Sequence, residues 1–233
     1  MRCAIMQPTY LPWAGYFNLI SQVDCFVFLD DVQFERRSWQ CRNRILVNGK
    51  VTWLTVPVKA DSREQIIEKI EVDGSPKWRD KQVTTLHHSY AKHPYRRELD
   101  GIIDCIKESR ITRLADLNMA IIRHIAEKLE LRPRFYQASE INAGGRRSEH
   151  LFDICRYLNC NEYLSPVGSS EYLMEDGVFT GSDIKLLFQD YSPQAYFQTG
   201  QEEFQSHLSI VDVIANLGWA AARQYITGAG GTT

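Results

Sequence analysis

The stretch DDVQFERRSWQCRNR sets two carboxylates, Asp30 and Asp31, beside four guanidinium groups, Arg36, Arg37, Arg42 and Arg44, with Phe34 and Trp39 between them. Guanidinium forks recognise phosphate and carboxylate oxygens through paired N–H donors. An aspartate at the end of a strand can orient a hydroxyl or amine, take its proton, or hold a divalent metal. The pattern points to a small-molecule substrate with an anionic group, although a solvated ion-pair cluster would use the same residues.

Upstream, QPTYLPWAGYF sets Pro8, Pro12 and Gly15 among Tyr10, Trp13, Tyr16 and Phe17. Prolines and aromatics lose little freedom on ordering, and aromatic faces stack on sugar and base rings, so this segment reads as the stiff rim of a ligand cleft. Downstream, INAGGRRSEHLFDICRYL offers Gly144, Gly145, Arg146, Arg147 and Ser148 ahead of a helical pattern, a composition that suits a phosphate clasp at a capped helix N-terminus. Among the histidines, His87 stands three residues before Tyr90 on one predicted helix, where it can act as a general base beside an aromatic neighbour.

Short elements must position these groups. Cys3 to Met6 reads as a buried strand ended by Gln7-Pro8, Trp13 to Gln22 as a helix, and CFVFLD as a second strand. Strand, turn, helix, strand is the opening of a parallel sheet, whose ligands gather at the carboxyl ends of the strands, where both QPTYLPW and LDDVQFERR fall. Asn48-Gly49 predicts a hairpin turn within ILVNGKVTW. From Lys77 to Leu131 the spacing is helical, with Thr112 or Asp116 able to cap the last helix there. A further helix is predicted over SEHLFDICRYL and a strand over EYLSP. The expected fold is α/β: a Rossmann-like parallel sheet in one domain spanning 1–233, with a helical cap over 76–135 and a frayed tail over 228–233.

The formal net charge of -2 argues against a nucleic-acid partner of the basic-footprint kind. No apolar run approaches the ~20 residues of a membrane span. The six cysteines show no zinc-like spacing and read as reduced, buried thiols, so a cytoplasmic location is expected, with no metal site and no cofactor assigned. G-x-S-x-G, Walker, G-x-G-x-x-G and H-E-x-x-H motifs are absent from the sequence.

Taken together, QPTYLPWAGYFNLI, DDVQFERRSWQCRNR, WLTVPV, the Trp78 to Tyr90 stretch, RSEHLFDIC, EYLSP and HLSIVDVIANLG resemble the WbqC-like family, found in bacterial gene clusters for O-antigen and other surface glycans. The resemblance covers nearly the whole chain. It adds Gln7, Asn43, Tyr90, Ser165 and Asp212 to the substrate-binding candidates Tyr10, Trp13, Tyr16, Arg36, Arg37, Arg44 and Arg147, with His87, Asp30 and Asp31 as catalytic candidates. It implies a carrier protein or other glycan-cluster enzymes as partners. Two positions depart from the family pattern: Pro166 stands where glycine is usual after Ser165, and Phe34 where tyrosine is more frequent. A more distant resemblance is to the nucleotidylyltransferase superfamily, whose H-x-G-H turn is here Trp13-Ala14-Gly15-Tyr16, with the glycine kept and both histidines replaced. The resulting expectation is a transferase of glycan or specialised-metabolite biosynthesis, moving an acyl or aminoacyl group onto an amine of a nucleotide-linked sugar. The alternatives are an ATP-dependent ligase or nucleotidylyltransferase, with Gly144 to Ser148 as triphosphate clasp, and a non-catalytic sugar-binding or scaffolding subunit.

Overall fold

A computed structural model describes residues 1–59 and 65–228. The expected frayed tail lies outside the described residues except for Gly228, which closes the last helix in a left-handed conformation.

Five short strands form a fully parallel sheet: β1 (Arg2–Met6), β2 (Cys25–Phe28), β7 (Arg134–Gln137), β8 (Glu162–Ser165) and β9 (Lys185–Phe188), in the spatial order β7-β2-β1-β8-β9. Parallel strands are covered on both faces, which is why β1 and β2 are continuous apolar runs. Alternation assigns their side chains. Ala4, Phe26, Phe28 and Leu164 face a larger core shared with α1 (Ala14–Ser21), α4 (Leu114–Lys128) and α7 (Ile210–Thr227). Cys3, Ile5, Cys25, Val27 and Tyr163 face a smaller one with α5 (Ser148–Tyr157) and α6 (Ser170–Asp176). The rings of Phe28 and Phe135 stack at 5.5 Å across β2 and β7, under the Arg123 guanidinium of α4. Each buried phenylalanine contributes roughly 1.5–3 kcal/mol of transfer free energy. The architecture is α/β and Rossmann-like.

The long connection from β2 to β7 carries two small antiparallel pairs. The hairpin β3 (Arg42–Val47) to β4 (Lys50–Thr55) turns at Asn48 and Gly49, both at positive φ as a two-residue turn of this kind requires. Val58–Lys59 (β5) pairs with Glu71–Val72 (β6). Beyond them, α2 (Lys77–Tyr90) packs on α3 (Asp100–Lys107), and α3 packs on α4. Neither expected cap holds the start of α4: its N-cap is Arg113, without a side-chain bond, and the Thr112 carbonyl accepts the Val72 N–H instead. Among the described residues no helix is long and apolar enough to cross a membrane.

Candidate functional site

The chain leaves β1 through α1 to reach β2 on one side, and later crosses from β7 through α5 to β8 on the other side of β1. At such a reversal the loops following two neighbouring strands part and leave a crevice. Two adjoining hollows occupy it. The first, about 300 Å³, is lined by Met6, Thr9, Pro12, Trp13, Tyr16, Trp39, Asn43, Arg44 and His207. The second, about 380 Å³, shares Met6, Thr9 and Trp39 with it and adds Gln7, Glu35, Gln40, Tyr163, Pro166, Ser169 and Tyr172, among others.

The bend after β1 is held from several directions. The Tyr16 hydroxyl donates to the Gln7 carbonyl at 3.1 Å, and the Gln40 amide donates to the Gln7 side-chain oxygen at 2.9 Å. Asn118, fully buried on α4, donates to the carbonyls of both Pro8 (2.9 Å) and Gln40 (2.8 Å), tying the bend to the 35–41 turn. The Tyr10 N–H adds a bond to the Trp39 carbonyl at 3.0 Å. Gly15 is required by close approach: a Cβ there would lie 2.2 Å from the Trp13 indole, which folds back over the first turn of α1.

Arg44 reaches the first hollow from β3. One terminal nitrogen donates to the His207 carbonyl at 3.1 Å, the guanidinium lies 5.6 Å from the centre of the Trp39 ring, and Nε is buried without a hydrogen-bond partner. An unmatched buried donor on a cation beside the Trp39 indole is a natural seat for an anionic oxygen, because leaving it unpaired costs about 1–3 kcal/mol. The His207 ring lies 4.8 Å from the Trp13 ring, tilted by 30°. Its loop is anchored from below by Asp212, which accepts from Tyr196 at 2.7 Å, Gln198 at 3.1 Å and the Asn216 amide at 3.3 Å, with the Tyr90 hydroxyl at 3.4 Å. Burial pushes the Asp212 carboxyl up, and these donors pull it back.

The remaining candidates separate. Tyr10 is wholly buried and bonds Gln82 of α2, and Asn43 spends its amide on the Tyr10 carbonyl (3.1 Å) and the Arg44 N–H (2.8 Å), so both shape the rim while only Asn43 reaches the hollow. Tyr90 and Asp212 are buried supports, and Ser165 is buried at the end of β8, where Pro166 takes over as lining residue. Arg36 and Arg37 line a different hollow, with Phe34, Cys41 and Thr55 to Lys59, and do not join Arg44. His87 is exposed on α2 beside Arg96, Arg97 and Asp100, away from both clefts. Asp30 is buried and accepts the N–H (2.9 Å) and hydroxyl (2.7 Å) of Ser139. Burial raises its carboxyl, opposed by those bonds.

Asp31 pairs with His150 of α5 at 3.0 Å, while the other ring nitrogen of His150 donates to the Gly144 carbonyl at 2.8 Å. Both nitrogens thus face acceptors, and the bond from Asp31 raises the imidazole above its ordinary value. Arg147 lies in the positive-φ region at the N-cap of α5, 3.8 Å from the Asp176 carboxylate, with its guanidinium 5.8 Å from the Tyr172 ring. Ser148 does not cap α5: it lies inside the first turn and donates to Asp176 at 2.6 Å. Gly145 is irreplaceable here, because a Cβ would meet the backbone of Glu149 and His150 at 2.9 Å.

Among the residues that sequence reasoning did not assign to the site are Trp39, Glu35, Gln40, Asn118 and His207. Trp39 carried a signal, as an aromatic among arginines; the others depend on loop geometry.

The WbqC-like protein family model matches residues 7–224. An uncharacterized protein of Mycobacterium tuberculosis (strain ATCC 25618 / H37Rv) is 30% identical over 227 residues, covering 97% of each chain. No solved structure matches significantly. With a match that runs from the bend after β1 into the last helix and takes in most of the residues that wall the double cleft, the chain belongs to the WbqC-like protein family.

Proposed function

We propose that the chain is a transferase with two substrates, moving an acyl or aminoacyl group onto an amine of a nucleotide-linked sugar or related small molecule. The observation that carries this reading is the pair of adjoining hollows with Met6, Thr9 and Trp39 as their common wall. Two ligands seated on either side of Trp39 would meet where the walls join, and holding both reactants removes much of the entropic part of the barrier. In the first hollow the indoles of Trp13 and Trp39 stack on a ring and Arg44 takes the anionic group. The acyl donor takes the second hollow, and where the walls join the Glu35 carboxylate takes one proton from the ammonium of the nucleotide-linked sugar seated in the first, so that the free amine attacks the acyl carbon. His207, stacked on Trp13, takes the second amine proton as the C–N bond forms and passes it to the departing group as the donor's acyl bond breaks. In this reading the proton-handling roles move from Asp30, Asp31 and His87 to Glu35 and His207.

The test is titration of the purified protein with a nucleotide-linked amino sugar, followed by mass analysis of products with a panel of acyl donors. Arg44→Ala should weaken nucleotide-sugar binding roughly 10- to 100-fold, as expected for a lost hydrogen bond to a charged group. Equal affinity in the variant, or binding with no turnover across all donors, would remove the transferase reading; the latter result would leave a sugar-binding subunit.

One observation favours a second reading, a nucleotidylyltransferase or ATP-dependent ligase: Trp13 and Tyr16, which flank Gly15 at the start of α1, both face the first hollow. Against it, Gly144 to Ser148 line neither cleft. A rise in Tm with ATP or CTP and magnesium, absent with nucleotide sugars, would favour it.

A further inference from the structure

Four of the six cysteines meet at the amino ends of the strands, on the face of the sheet covered by α5. Cys3 and Cys25 are register partners on β1 and β2; Cys155 lies on α5 and Cys160 in the loop that follows it. Cys3 Sγ is 3.4 Å from Cys155 Sγ, Cys25 Sγ is 3.7 Å from Cys160 Sγ, and the sulfurs of Cys3, Cys25 and Cys160 all lie within 4.8 Å of one another. All four are buried and none is in a disulfide.

We propose that this cluster is a thiophilic metal site of the zinc type, with Cys3, Cys25 and Cys160 as its core ligands and Cys155 as the fourth. Tetrahedral zinc with Zn–S bonds of about 2.3 Å holds its sulfurs about 3.8 Å apart, so Cys3, Cys25 and Cys160 require only small side-chain rotations, while Cys155, close to Cys3 but outside that mutual group, requires a larger one. The ligand types are right as well: four sulfurs around one ion would make a closed, structural site. A single disulfide would satisfy only two of three mutually adjacent thiols. The elements joined are those that need joining, since a metal here clamps the starts of β1 and β2 to the end of α5.

Binding releases the thiol protons to solvent, so metal uptake is expected to tighten as pH rises. Cys155 and Cys160 stand in a C-x4-C spacing, but their partners Cys3 and Cys25 lie 152 and 135 residues away along the chain, which is why no complete spacing motif announces the set.

The test uses the full chain, stripped of metal by a chelator under reductant and then given Co²⁺ or Zn²⁺. Roughly one equivalent should remain after gel filtration, the Co²⁺ form should show the intense visible and near-ultraviolet bands of tetrahedral thiolate coordination, and Zn²⁺ should raise Tm by roughly 5 °C or more. Cys25→Ser and Cys160→Ser should abolish uptake, whereas Cys105→Ser, outside the cluster, should retain it. The wild-type spectrum decides the matter even if a cluster variant fails to fold. A hexaaqua Co²⁺ spectrum with no retained metal and an unmoved Tm would overturn the proposal. So would thiol counting, without reductant, that finds these cysteines oxidised in pairs.

Discussion

The two ends of the central sheet are built on opposite terms. At the carboxyl ends of β1 and β8 the chain opens into a double cleft with mainly apolar walls, an unmatched Arg44 Nε and a Trp39 that is 46% exposed. At the amino ends, Cys3, Cys25, Cys155 and Cys160 close against one another with almost no exposure. Within β1 alone Met6 lines both hollows while Cys3 joins the sulfur cluster. The contrast shows where this fold tolerates incomplete satisfaction: loops that follow strands present groups to a ligand, whereas the starts of the strands are packed shut.

The difference can be broken at the loop network first. Asp212→Ala removes the acceptor for Tyr196, Gln198 and Asn216 and should cost about 3 kcal/mol, because buried donors are left unpaired. That corresponds to a fall in Tm of roughly 6–12 °C by thermal unfolding, with weakened nucleotide-sugar binding as the His207 loop loosens. A Tm within about a degree of wild type would mean that the cleft does not rest on this anchor.

Gly15→Ala is a narrower probe of the same end. The added methyl would meet the Trp13 indole at 2.2 Å and push it into the first hollow. Overpacking should cost about 1–3 kcal/mol and lower nucleotide-sugar affinity about tenfold, read by titration and by a change in tryptophan emission.

The smallest effect belongs to Asp31 and His150. Because the folded imidazole sits above its ordinary 6.5, the pair's contribution to stability is full below that value and fades as pH rises through the raised one. Asp31→Asn should therefore lower Tm more at about pH 6 than at about pH 9, by a few degrees at most. Equal losses at both pH values would show that the pair acts by packing alone.

Much of the framework was legible in the residues. The strand–bend–helix–strand opening follows from CAIM and CFVF, and the hairpin from Asn48-Gly49, because local backbone preferences and apolar runs specify such elements. Trp13, Tyr16 and Arg44 reach the cleft as the sequence reading expects. Arg36 and Arg37 do not, because they sit in a turn, Arg37 at φ 60°, while Arg44 lies on a strand whose pairing with Trp53 holds it in place. Asp30 and Asp31 read alike in sequence but differ in partner: Ser139 takes one and His150 the other, each from a distant segment. Asp212, in the first turn of α7, is a buried anchor beneath the cleft.

The sequence by itself determined the element types, the parallel α/β class and the aromatic rim, all of which depend on residues near one another along the chain. The tertiary structure alone decided which arginine faces the cleft, that Glu35, Gln40 and His207 join it, and that four scattered cysteines converge. These depend on strand order and loop paths, which bring together side chains that no local pattern relates.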